Sequence, residues 1–140
     1  MKQSINELKD HWVKASKERY PNNPYHTSPK FSDTTANGLT KCIIQWLRVN
    51  RWQAERVSNT GRPIHNGHTL TWIPGTGSKG TADISATIAG KSVKIEVKIG
   101  RDRQSQAQKN YQQQVERAGG VYVIATDFDQ FLSWYKTFVG

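Results

Sequence analysis

The chain is poor in acid, almost devoid of cysteine, and has no long apolar run. Its 140 residues carry 11 Asp and Glu against 20 Lys and Arg, a formal charge of +9. The excess is spread along the chain and not gathered in a tail, so the expected partner of the folded domain is a polyanion, with nucleic acid foremost. The single cysteine, Cys42, excludes an internal disulfide and any Cys-based zinc site. It sits in the run Cys42-Ile43-Ile44, which reads as a buried structural thiol. No apolar stretch approaches the length of a membrane span. The opening Met1-Lys2-Gln3-Ser4-Ile5 lacks the hydrophobic region of a signal peptide. The expectation is a reducing, cytoplasmic setting with no membrane partner. There is no internal repeat and no long low-complexity segment. The length suits one domain with a real core.

Against this background two short alternating segments stand out. Residues 81–88 place Ala82, Ile84, Ala86 and Ile88 on one parity, and residues 92–99 do the same with Val93, Ile95, Val97 and Ile99. Period-two alternation rich in β-branched residues marks half-buried strands. Between them lies Ala89-Gly90-Lys91-Ser92, where Gly90 can take the positive φ of a hairpin turn. A two-residue loop Ala89-Gly90 pairs position 83 with 96; a four-residue loop 89–92 pairs it with 98. Either even length puts Asp83 on the same face as Glu96 and Lys98, because opposed residues of an antiparallel pair share a face. An odd loop would separate them.

Two carboxylates on adjacent strands repel unless a cation lies between them. Oxygen ligands so arranged suit Mg²⁺ or Mn²⁺, with water and a substrate phosphate completing the shell. Lys98 would supply an amine to orient or deprotonate the attacking water and to balance charge on the phosphate. The simpler alternative is a solvated sheet face on which Lys94, Glu96 and Lys98 merely add solubility.

The remaining elements follow in order. Ile5, Leu8, Trp12 and Ala15 mark a helix over residues 5–19, stopped by Tyr20-Pro21-Asn22-Asn23-Pro24. A second helix is expected to begin near Ser32-Asp33, either residue capping it, with Ala36, Leu39, Thr40, Ile43 and Leu47 buried. Gly38 within it suggests close approach by another backbone or by substrate. Residues 52–57 read as a strand. Residues 63–72 read as a hairpin turning on Asn66-Gly67, and Pro74 to Gly80 as a glycine-rich loop. After the basic loop Gly100-Arg101-Asp102-Arg103 comes a helix over 105–118 buried along Ala107, Tyr111, Val115 and Ala118. Residues 121–125 read as a fully buried strand. Asp127 caps a last helix carrying Phe128, Phe131, Leu132, Trp134 and Tyr135. The domain division is a helix and Pro-rich loop over 1–31, then one domain over 32–140.

In its signature Gly80-Thr81-Ala82-Asp83 followed by Glu96-Val97-Lys98, the chain resembles the PD-(D/E)XK nuclease superfamily. It is most similar to the VRR-NUC and Holliday-junction-resolvase-like branch. Ser105-Gln106-Ala107-Gln108 and Ala118-Gly119-Gly120-Val121-Tyr122-Val123 extend the likeness, which covers roughly residues 34–135. The resemblance implies an α/β, restriction-endonuclease-like α-β-β-β-α-β core with a mixed sheet flanked by helices, an N-terminal helical extension and an inserted β-hairpin. It implies metal ligation by Asp83 and Glu96, Lys98 as catalytic lysine, and Gln108 behind the site. Ala82 stands where many relatives have Pro. The first core helix offers Asn37 where relatives usually have an acid, with Asp33 a turn earlier; Glu55 on the first strand is the alternative acidic partner for the metal, the sequence leaving open whether Glu55 or Arg56 faces the site.

The basic residues Lys79, Lys94, Arg101, Arg103, Arg56 and Arg62 surround these motifs and are expected to contact phosphates without reading sequence. His65 and His68 flank the hairpin turn, with Trp72 nearby, as a wedge or groove probe. The expected function is a Mg²⁺- or Mn²⁺-dependent DNA endonuclease acting on branched, flap or junction DNA as a homodimer, of a size that suits a phage. The alternative is a non-catalytic DNA-binding module that keeps the nuclease fold.

Overall fold

The computed structural model of the chain describes residues 2–57, 62–73 and 80–140. Among them are four helices, α1 (Gln3–Arg19), α2 (Ala36–Val49), α3 (Gln106–Arg117) and α4 (Phe128–Val139). The strands are β1 (Gln53–Arg56), β2 (Arg62–Asn66), β3 (Thr69–Ile73), β4 (Ile84–Ile88), β5 (Lys91–Val97) and β6 (Val121–Ala125). The architecture is α/β, with a mixed four-stranded open sheet in the order β1-β4-β5-β6. The first three strands are antiparallel neighbours, and β6 runs parallel to β5 after the α3 connection. Strands β2 and β3 form a separate two-stranded sheet.

Parity sorts the sheet as the alternation requires. Ile84, Ala86, Ile88, Val93, Ile95 and Val97 are all buried in a core shared with α1, α2 and α4. Ile5 and Leu8 of α1, Leu39, Ile43 and Leu47 of α2, and Phe128, Phe131 and Leu132 of α4 complete it. Residues 1–31 therefore contribute to the same core as the sheet. The opposite face of the sheet carries Ser85, Lys94, Glu96 and Tyr122, and α3 packs on that side against β6. The Ala107, Tyr111 and Val115 stripe of that helix is only half-buried, and Ala118 is exposed.

Three local expectations are corrected. Thr35, not Ser32 or Asp33, caps α2, its hydroxyl accepting from Gly38 N at 3.0 Å. Asp33 instead accepts from the amide of Phe128, the first residue of α4, at 2.8 Å, and pairs with the Lys2 ammonium at 2.9 Å. Burial alone would raise its pKa, but those two donors together hold it below the usual carboxylate range. The second hairpin turns one residue later than its Asn-Gly pair suggests. Asn66 pairs with Thr69, so Gly67 and His68 form the loop, with Gly67 at φ 62. Strand β6 lies at a sheet edge, with Val121 half-buried against the core and Tyr122 and Ile124 half-buried on the opposite face, which α3 covers incompletely.

Candidate active site

The β4–β5 loop is the two-residue Ala89-Gly90, since Ile88 pairs with Lys91. Both loop residues have positive φ, 52 and 79, as the hairpin twist demands. The ladder then aligns Ile84 with Ile95, and one step further brings Asp83 opposite Glu96. Asp83 lies just before β4. Its carbonyl accepts from Val57 N at 2.8 Å, and its carboxylate Oδ2 accepts from Val97 N at 2.8 Å. The amide of Val97 thus fixes the carboxylate against β5.

Glu96 is 2% exposed, a carboxylate among the most deeply buried side chains of the protein. Oε1 accepts from Gln108 Nε2 at 3.1 Å and lies 3.9 Å from Lys98 Nζ. Oε2 is buried without a hydrogen-bond partner. Burial first, and the adjacent Asp83 carboxylate second, push the Glu96 pKa up to about 8; Lys98 and the nearby Tyr122 hydroxyl act in the opposite direction. Tyr122 itself is pushed up to about 12 by burial, against the pull of Gln104. A bare oxygen on a buried acid, next to a second acid, is a position where a divalent cation lowers the energy of both.

Gln108 is held by the first turn of α3. Ser105 caps that helix, and the two residues form a capping box in which Ser105 N donates to Gln108 Oε1 at 2.9 Å. With its oxygen so engaged, the amide turns its NH₂ toward Glu96. Gln108 therefore sets the rotamer of Glu96 and leaves Oε2 free. The helix can come this close because Gly80, at φ 74, has no side chain; a Cβ there would lie 2.4 Å from the backbone C and O of Ala107.

Asp83, Glu96, Lys98, Gln108, Asn37 and Arg56 line one cleft of about 300 Å³. Asn37 is exposed in the first turn of α2. Of the pair on β1, Arg56 lines the cleft, while Glu55 is exposed opposite Ser85. A larger cleft of about 640 Å³ adjoins through Asp83, Arg56 and Gln108, extending past Val57 and Gly80. Lys94 is half-buried two residues before Glu96, its ammonium donating to Ser85 Oγ at 2.7 Å. Arg101 is exposed on the loop after Lys98. Arg103 is also exposed, but its guanidinium folds back onto the carbonyls of Gly100 and Asp102. Arg62 opens β2, a strand of the separate two-stranded sheet. Lys79 and the glycine-rich stretch before it lie outside the described residues.

Two contributors escape a reading by motif. Asp102 lines the same cleft and lies 3.6 Å from Lys98 Nζ, so the ammonium sits between Glu96 and Asp102. Its signal is an acid four residues after the lysine, inside a loop otherwise read as basic. Tyr122 reaches the site because β6 pairs it with Lys94 on the α3 side. Among the described residues no group of three or more His, Cys, Asp or Glu side chains is placed to hold a metal ion. No protein-family model matches the chain, and no curated protein matches it.

Proposed function

We propose that the chain is a divalent-cation-dependent DNA endonuclease of the PD-(D/E)XK kind, with a restriction-endonuclease-like core formed by α2, β1, β4, β5, α3 and β6. The observation that carries this reading is the unpartnered Oε2 of Glu96, buried beside the Asp83 carboxylate at the wall of an open cleft. Asp83 and Glu96 would hold Mg²⁺ or Mn²⁺, with Asn37 the neighbouring oxygen donor. The cation, when bound, supplies charge neutralisation at the scissile phosphodiester and acidifies water. Lys98, 11% exposed and held between two carboxylates, keeps its ammonium directed at the cleft. There it orients the attacking water and offsets charge growing on the phosphate. Gln108 positions Glu96, and Arg56 offers a phosphate contact at the cleft wall. Branched, flap or junction DNA is the proposed substrate class, and paired cuts across a junction would be made by a homodimer.

A second reading, a DNA-binding module without chemistry, is favoured by Asn37 standing where an acid would complete the cation shell. One experiment separates the two. A labelled four-way junction and a plasmid are incubated with Mg²⁺, Mn²⁺ or EDTA, using wild type, Asp83→Ala and Lys98→Ala. The nuclease reading expects cation-dependent cleavage reduced at least about a hundredfold in both variants. DNA binding without cation-dependent cleavage by wild type would establish the module instead.

A further inference from the structure

The β2–β3 hairpin is a sheet of its own, its ladder joining only those two strands among the described residues. Thr69, Leu70 and Thr71 must alternate between its faces, yet all three are exposed, as are His65, Gly67 and His68. Leu70 is 66% exposed, and His65 is its direct cross-strand partner. One face of the ribbon, next to its turn, thus presents an apolar side chain beside an imidazole. Val57, before the hairpin in sequence, and Gly80, after it, both line the larger cleft beside Asp83. From Val57 to Ala82 there is no Asp or Glu, whereas Arg62 and Lys79 are fixed cations and His65 and His68 flank the turn. In a chain with 11 acids elsewhere, this segment is suited to a polyanion.

A two-stranded ribbon fits a DNA groove, and apolar side chains on such elements insert at base steps. Magnitudes decide which DNA suits this one. Covering a single leucine is worth on the order of tenfold to thirtyfold in affinity. Opening a closed, stacked base step costs as much or more. One leucine is therefore insufficient to wedge open a continuous duplex, but suffices to cap a base pair whose outer face is already bare.

We propose that the hairpin recognises the branch point of DNA, with Leu70 stacking on the terminal base pair exposed where strands part and His65 beside it at the backbone. The inference rests on the nuclease reading for its biological sense, but its test does not need catalysis. Full-length wild type and Leu70→Ala are titrated in EDTA against a four-way junction and a linear duplex of matched sequence. Binding is read by anisotropy, and stacking by 2-aminopurine at the branch-point pair. Because Leu70 is exposed, the variant keeps its fold, which circular dichroism checks.

The expected result is a loss of about tenfold in junction affinity for Leu70→Ala, with duplex affinity within about twofold and the 2-aminopurine change abolished. Equal weakening on both DNAs, no weakening on either, or an unaltered 2-aminopurine response would overturn the proposal. If wild type cleaves nothing with Mg²⁺ or Mn²⁺ yet shows the Leu70-dependent preference, the nuclease reading fails and the hairpin assignment stands. Cation-dependent cleavage with an unchanged junction preference in Leu70→Ala sinks the hairpin assignment and leaves the nuclease reading in place.

Discussion

Replacing Glu96 by Gln should make the cation-free protein more stable at mildly alkaline pH while removing its response to divalent ions. A glutamate free in water titrates at 4.5, and the fold pushes Glu96 up to about 8. Between those values the folded chain holds a proton that the unfolded chain has released. Stability therefore falls as pH rises from 4.5 toward about 8, and the loss is complete above that. At about 1.4 kcal/mol per tenfold change in proton affinity, the burden near pH 8 is on the order of 4 kcal/mol. For a domain of this size that is about 10 °C in Tm. Glu96→Gln keeps the acceptor for Gln108, carries no charge, and offers Asp83 an NH₂. The assay is thermal unfolding of both proteins in EDTA and in millimolar Mg²⁺ or Mn²⁺, from about pH 5.5 to 8.5. In EDTA the variant should melt progressively above wild type as pH rises. In wild type the cation should restore stability, its apparent affinity weakening about tenfold per pH unit below 8 as it displaces the Glu96 proton. In the variant the cation should do little. A variant no more stable than wild type at pH 8 in EDTA, or raised equally by the cation, would refute the reasoning.

Two further substitutions probe the frame around the site. Gly38→Ala should destabilise by about 1–3 kcal/mol in urea unfolding although alanine is the better helix former, because its Cβ would lie 2.3 Å from the Ser32 carbonyl oxygen. Asp33→Ala strips the acceptor from the Phe128 amide and should cost about 2 kcal/mol. Asp33→Asn keeps that bond and should cost less. Since the Asp33 pKa is lowered, its contribution is present above the ordinary carboxylate range and lost as pH falls through the folded value; both variants should accordingly flatten the acid limb of the stability profile.

The strand pair that holds Asp83 and Glu96 was legible because alternation and turn length together determine a register. What remained ambiguous was whether the loop held two residues or four. The deciding residue, Ala89 at φ 52, is one whose side chain gives no local hint of a left-handed backbone. The start of α2 was harder. Ser32, Asp33, Thr34 and Thr35 are all competent caps, and the choice falls to Thr35 because Asp33 is engaged by a residue 95 positions away. Burial of Glu96 was not legible either, since Lys94-Glu96-Lys98 reads equally well as a wet face. It becomes dry only because the bare backbone of Gly80 lets α3 settle over it. Asp102 and Tyr122 join the site through a loop and a parallel neighbour, relations that no short-range spacing encodes. The apolar run of β6 suggested a strand closed on both sides; its edge position depends on which strands the sheet does not have.

The carboxylate of Asp33 ties three distant points of the chain together: the start of α1, the approach to α2 and the first amide of α4. Shortening the protein to its motif-bearing part would uncouple all three at once and strip Ile5 and Leu8 from the interior. The opening thirty or so residues behave as a buckle, and a minimal fragment engineered without them should be sought with a replacement clasp at Phe128 already in hand.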